Sequence, residues 1–187
     1  MHCPAFPALD WWQQYLLQPS AVSFFPGVIK DRKLALNRYQ ILTASGPILL
    51  SIPLKGGRER AQSLTESRID YTHDWQRQHS MTLRSAYGRA PFFEYYGPEL
   101  LDLILTSHEV LLDFNSAALN WAAKILGVSP SSSILGEIDQ PLSAPTLAAP
   151  KTPVYHQVFE DRIGFYPNPS IIDLVMAEGP YASAVLS

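Results

Sequence analysis

The chain has 187 residues, 47% apolar and 17% charged, with a formal net charge of −3 from 14 basic and 17 acidic side chains. That length and apolar content fit one domain with a sizeable core, and the acidic balance excludes a general nucleic-acid binder, which needs a basic excess. The lone cysteine, Cys3, excludes an intrachain disulfide. No run approaches the roughly 18 apolar residues of a membrane span. The opening MHCPAFPALDWW lacks the basic and long apolar regions of a secretory signal, so a soluble, cytoplasmic protein is expected.

Pro4 and Pro7 fix φ and keep the first residues out of a helix. Asp10 then caps a predicted helix through Trp11, Trp12, Tyr15 and Leu16, stopped by Pro19. Residues 21–25 read as a buried strand, Pro26-Gly27 as a turn and residues 30–33 as a charged loop. Residues 34–43 and 48–54 predict a β-hairpin around Ala44-Ser45-Gly46-Pro47, with Ile48, Leu50, Ile52 and Leu54 facing one way. Asn37 and Arg38 fall in mid-strand, either on an exposed face or at a ligand. The run Lys55-Gly56-Gly57-Arg58-Glu59-Arg60 has glycines and cations but not the spacing of a P-loop, and reads as a solvated loop. Residues 64–71 predict a strand in which Arg68 and Asp70 alternate against Ile69.

The strongest helical pattern follows. Thr72 is the expected N-cap, and Trp75, His79, Leu83 and Ala86 share one face. Gly88 is expected to end the helix in a left-handed conformation, with Pro91 blocking continuation. His79 is thus a polar group on an apolar stripe. It is either a core histidine bonded to a backbone carbonyl or an imidazole presented at a ligand cleft. Phe92, Phe93, Tyr95 and Tyr96 read as core packing or as a stacking platform. A leucine-rich helix is expected over 99–106, opened by Gly97-Pro98, and a second over 109–126 behind a Ser107 cap. Asn115 lies on the apolar stripe of that second helix and needs a buried partner.

Composition shifts at residues 129–153, where five prolines and five serines suggest an extended crossing segment. Residues 154–159 and 162–166 then resemble two short strands. Ser170 is placed to cap a helix over 171–177 with Asp173 in its first turn, and Gly179-Pro180 breaks it before a final packed turn. The five histidines show no metal-ligand spacing, and Cys3 has no evident base beside it, so no metal, cofactor or thiol chemistry is expected.

Several of these residues fall in a recognisable order: Asn37-Arg38, Gly46-Pro47, Ile52-Pro53-Leu54-Lys55, Asp74-Trp75, His79, Tyr87, Ala90-Pro91-Phe92-Phe93 and Leu126-Gly127. This order resembles the WbqC-like protein family, which is linked to O-antigen and other surface-polysaccharide biosynthesis. Pro4, Phe6 and Pro7 echo the family's opening, and Tyr155, Gln157, Asp173 and Gly179-Pro180 fall in segments that echo its close. The chain also departs from the family. Pro26-Gly27 stands where paired aspartates are usual, the basic pair survives as Arg32-Lys33, and an Asn-Arg-Asn-Arg run survives only as Asn37-Arg38-Tyr39-Gln40. The short segment 129–153 replaces a block with a Ser-Gly loop.

The resemblance implies a protein that binds or modifies an activated sugar, such as a nucleotide sugar or another small anionic ligand. In that reading Asn37 and Arg38 contact hydroxyl or phosphate oxygens, with Arg32 or Lys55 adding charge. Tyr155, Gln157 and Asp173 complete the rim, and His79 acts as acid or base if it borders the pocket. The missing aspartates imply the alternative, a non-catalytic interaction protein with a homodimer interface around Trp11, Trp12, Phe92 and Tyr96. The expected fold is one α/β domain spanning 1–187, its mixed or antiparallel sheet carrying helices. A doubly wound parallel sheet is the alternative.

Overall fold

A computed structural model of the chain describes residues 4–17, 36–56, 66–128 and 153–187. The predicted strand at 21–25, the charged loop with Arg32, most of the glycine-rich basic loop and the crossing segment 129–152 lie outside those residues.

The hairpin forms where alternation predicts it. β1 (Arg38–Thr43) and β2 (Gly46–Ser51) pair antiparallel, from Arg38 opposite Ser51 to Thr43 opposite Gly46. Ala44 and Ser45 alone make the turn, so Gly46 and Pro47 belong to β2. Thr43 Oγ1 closes the turn by donating to the Gly46 carbonyl at 2.7 Å. Gly46 has φ +113°, a backbone state that favours glycine. Beyond β2 the ladder shrinks to single antiparallel bridges, Leu54 with Ile69 and Arg68 with Val110. The strand expected over 64–71 is therefore, in its described part, a two-sided splice. Its alternation survives, with Ser67 and Ile69 buried and Arg68 exposed. The ladder stops there because the chain enters a helix at Leu111, directly after its bridge.

The helices are α1 (Leu9–Leu17), α2 (Trp75–Tyr87), α3 (Phe93–Leu105), α4 (Leu111–Leu126), α5 (Glu160–Ile163), α6 (Ile171–Glu178) and α7 (Ala182–Leu186). The predicted stripe of α2 is buried at all four positions. Its ends differ from expectation. Thr72 does not cap α2: its N–H and hydroxyl both donate to Asp70 Oδ1, at 2.9 and 2.5 Å, and Asp74 takes the cap position. Gly88 is right-handed, with φ −59°, because the chain turns tightly through Ala90 N–H to the Tyr87 carbonyl. Glycine is needed there for clearance, since a Cβ would strike the Arg84 carbonyl.

α3 starts at Phe93, six residues before the expected 99, and holds Pro98 inside it. Pro98 and Glu94, whose carbonyl loses its helical donor, are both exposed, where water can replace the bond. The Phe93 ring lies over Gly97, where a Cβ would come within 2.8 Å of it. α4 begins after Val110, without help from Ser107, and ends at left-handed Gly127, φ +69°. Asn115 finds its buried partner in a loop, donating to the Leu36 carbonyl at 3.1 Å.

The two strands expected between 154 and 166 do not form. Glu160 accepts a bond from Gln157 N–H at 3.2 Å and pairs with His156 at 3.1 Å, which starts the single turn of α5. The pairing a second strand would have made is supplied by one side chain. Gln157 Oε1 accepts from Tyr166 N–H and its Nε2 donates to the Tyr166 carbonyl, both at 2.8 Å. Ser170 occupies the cap position of α6, but its hydroxyl makes no bond and only its carbonyl engages Asp173 N–H, at 3.1 Å.

The two ends of the described chain are laced together. Ala8 bridges Ser170, Leu9 N–H donates to the Pro169 carbonyl at 3.1 Å, and Ile171 N–H donates to the Pro7 carbonyl at 3.0 Å. One apolar cluster joins Phe6, Trp12, Tyr15, Ile41, Leu83, Phe114, Trp121 and the inner residues of α6. Trp11 and Trp12 belong to this core, at 9% and 0% exposure, so they are not surface groups of a dimer interface. The result is an α/β arrangement of helices around an antiparallel hairpin. Every strand pairing among the described residues is antiparallel, which corrects the doubly wound alternative. Among the described residues no helix is long and apolar enough to cross a membrane.

Candidate functional site

A line of buried and half-buried polar side chains runs from α6 to β1. Asp173 is fully buried on α6 and accepts a 2.6 Å bond from the Tyr155 hydroxyl. Gln157 Nε2 reaches that hydroxyl at 3.4 Å, as well as the Tyr166 backbone. The Tyr166 hydroxyl in turn accepts from Gln40 Nε2 on β1 at 3.0 Å. The Tyr87 hydroxyl accepts from Leu42 N–H at 3.1 Å and sits in weaker hydrogen-bonding contact with the Asp173 carboxylate. By strict geometry Asp173 Oδ1 accepts no bond, a rare state for a buried oxygen.

Burial dominates the electrostatics. It raises the Asp173 pKa to about 6, against the smaller lowering effect of the Tyr155 and Tyr87 hydroxyls. The same burial, with the carboxylate close by, holds both tyrosines well above the ordinary phenol range. Asp173 therefore changes charge near neutral pH inside the protein.

The predicted site residues separate into sets. Tyr155, Gln157 and Asp173 come together in this line. Arg38 lies two residues from Gln40, so the strand's alternation puts both on one face. Arg38 Nε is buried without a partner. His79 is on the other side of β1. Its Nδ1 meets the Tyr39 hydroxyl at 2.9 Å, and it also bonds the Ser51 backbone. Burial lowers its pKa to about 4, which keeps the imidazole neutral at pH 7. Asn37 Nδ2 donates to the Ile52 carbonyl at 2.7 Å, a main-chain tie across the hairpin. Lys55 is exposed beyond β2, where its charge helps hold the Asp70 pKa down, after the larger effect of the Thr72 bonds. Arg32 lies outside the described residues.

Gln40, Tyr87 and Tyr166 complete the line and were not singled out as site residues. The signal for Gln40 was present, since it shares a strand face with Arg38. Tyr87 and Tyr166 meet Asp173 and Gln40 only through contacts that span 86 and 126 positions of sequence, which no local pattern encodes. Two cavities lie elsewhere. One of about 430 Å³ opens between the hairpin turn and α2, beside Ser45, Met81, Ser85 and Phe159. The other, of about 330 Å³, lies between α3 and α4. None of the predicted site residues lines either one. Among the described residues no cluster of His, Cys, Asp and Glu could hold a metal ion.

Gln157 tests the line directly. Gln157→Ala removes three bonds of a side chain only 1% exposed. We expect a loss of about 2–3 kcal/mol in urea unfolding. An unchanged midpoint would show that Tyr166 is held by something else.

An α/β protein with a buried acid–tyrosine–amide line running to its hairpin is the class these features define. The chain belongs to the WbqC-like protein family, whose model matches residues 6–144. The match includes Arg38, Gln40, His79 and Tyr87, and ends before Tyr155, Gln157 and Asp173. No curated protein and no solved structure matches the chain.

Proposed function

We propose that this protein acts in surface-polysaccharide biosynthesis of the O-antigen type, by binding an activated sugar on the β1 face that carries Arg38 and Gln40. Membership of the WbqC-like family supports the setting. The observation that carries the ligand is Arg38: its Nε is buried and unpartnered, on the strand face that Gln40 links through Tyr166 and Gln157 to Asp173. A guanidinium presents a rigid fork of donors suited to phosphate oxygens, so a nucleotide sugar fits it better than a neutral metabolite. Tyr155 and Gln157 fix the far end of the line, and Asp173 supplies a carboxyl able to take or release a proton near pH 6. Lys55 adds positive charge at the rim. His79 enters as a support for Tyr39, since its ring is engaged and neutral.

The test is a titration with UDP-, GDP-, dTDP- and CMP-linked sugars, followed by thermal unfolding and calorimetry. At about 100 times Kd a bound ligand adds about 2.7 kcal/mol, a melting shift of several degrees. We expect such a shift with one of these ligands and its loss in a folded Arg38→Ala variant. No shift with any of them, or an undiminished one in the variant, sinks the reading.

A further inference from the structure

Residues 75–93 hold three arginines and no aspartate or glutamate, in a chain whose formal net charge is −3. α2 supplies two of them. Its inner stripe is buried, whereas Arg77, Met81, Arg84 and Gly88 form one exposed line, at i, i+4, i+7 and i+11, down the opposite side. Arg89, also exposed, follows in the turn after the helix. Among the described residues none of the three guanidinium groups has a hydrogen bond or a carboxylate within salt-bridge distance. Asp74 and Glu94 bracket the run, and neither pairs with an arginine. On α3, which packs against α2, Glu99 is engaged by Lys124 and Asp102 borders the cavity shared with α4, so both face the α4 side. Met81 sits midway between Arg77 and Arg84 and is 60% exposed although apolar. It borders the cavity of about 430 Å³ together with the half-buried Phe159, so the apolar ground around it extends beyond the helix.

We propose that the exposed side of α2 docks on an anionic phospholipid membrane surface. It is an unmatched cationic face on an acidic protein. An anionic surface attracts this face and repels the rest of the molecule, which selects one orientation. Arg77 and Arg84 lie about 10 Å apart along the helix axis, far enough to engage separate lipids. Each guanidinium offers a fork of donors that fits the oxygens of a phosphodiester. Met81 decides between a lipid and a hydrated polyanion such as a nucleic acid or an acidic glycan. Against a hydrated polymer a methionine between two arginines stays in water, whereas at a bilayer it enters the boundary beneath the headgroups. The apolar stripe of α2 remains in the core. Attachment is therefore peripheral, reversible and weakened by salt. These residues take no part in the line from Arg38 to Asp173, and the proposal stands without the sugar-binding reading.

The test is cosedimentation of the full chain with vesicles of phosphatidylcholine alone, and of phosphatidylcholine and phosphatidylglycerol in equal parts. The expected result is sedimentation with the mixed vesicles only, reversed by half-molar sodium chloride. Arg84→Ala is expected to weaken that binding about fivefold, and the combined Arg77→Ala, Arg84→Ala and Arg89→Ala variant to abolish it. All three positions are exposed, and an unchanged urea midpoint verifies that the variants fold. Met81→Ala is expected to weaken vesicle binding about threefold through the lost apolar contact. Absence of sedimentation with the mixed vesicles overturns the proposal, as does a combined variant that sediments like the parent. Vesicle binding that Met81→Ala leaves unchanged, matched by equal affinity for heparin, overturns it in favour of a hydrated polyanion.

Discussion

Asp173→Asn is expected to be more stable than the parent chain at pH 7, by about 3 kcal/mol. The carboxyl has a folded pKa of about 6 against an ordinary value of 3.8. The folded state therefore holds its proton more tightly than the unfolded state does. Stability associated with this group is fully present below pH 3.8 and falls as pH rises toward 6, because folding must then keep a proton the unfolded chain has released. Each pKa unit is worth about 1.4 kcal/mol, which gives the size of the loss. Asparagine keeps an oxygen for the Tyr155 hydroxyl and has no charge to bury. The check is urea unfolding, followed by tryptophan fluorescence, at intervals from pH 4 to pH 7. A variant less stable than the parent at pH 7 would mean that the ionised carboxylate is a stabilising group after all.

His79→Gln should produce the opposite profile. Its folded pKa of about 4 lies below the ordinary 6.5, so the unfolded chain is the better proton binder. Stability from this group is present above pH 6.5 and is lost as pH falls toward 4, again by about 3 kcal/mol. Removing it also removes the bonds to Tyr39 and to the Ser51 backbone, so the variant should be about 1–3 kcal/mol less stable at pH 7. The two groups act across nearly the same pH range with opposite signs. Between them the parent chain should show little net pH dependence from about 4 to 6. Each single variant should unmask the other group: stability rising with pH in Asp173→Asn, and falling with pH in His79→Gln. Parallel curves for all three proteins would refute both assignments.

The parts of this fold that local pattern encodes were legible. The stripe of α2, the hairpin with its alternating second strand, and the position of α6 follow from periodicity and from glycine and proline stops. What failed to show was anything decided by which of several possible partners a polar group takes. Thr72 looks like a cap until Asp70 claims its hydroxyl. Residues 154–166 look like paired strands until the Gln157 amide does the pairing and Glu160 starts a turn. Gly88 marks an end correctly, but for steric clearance rather than for left-handed geometry. The site was half legible for the same reason. Tyr155, Gln157 and Asp173 were grouped through the family resemblance, and the fold does bring them together. Asn37 and His79 have the polar character of site residues, yet their neighbours use that character to tie the hairpin.

The lacing of residues 7–10 to residues 168–171 sets the order in which the molecule can be finished. During synthesis the first helix emerges from the ribosome long before its partner has been translated. Its indoles cannot reach their final packing until residues 168–171 have been made. Folding then depends on a closure between segments about 160 positions apart, a distant contact that favours comparatively slow folding.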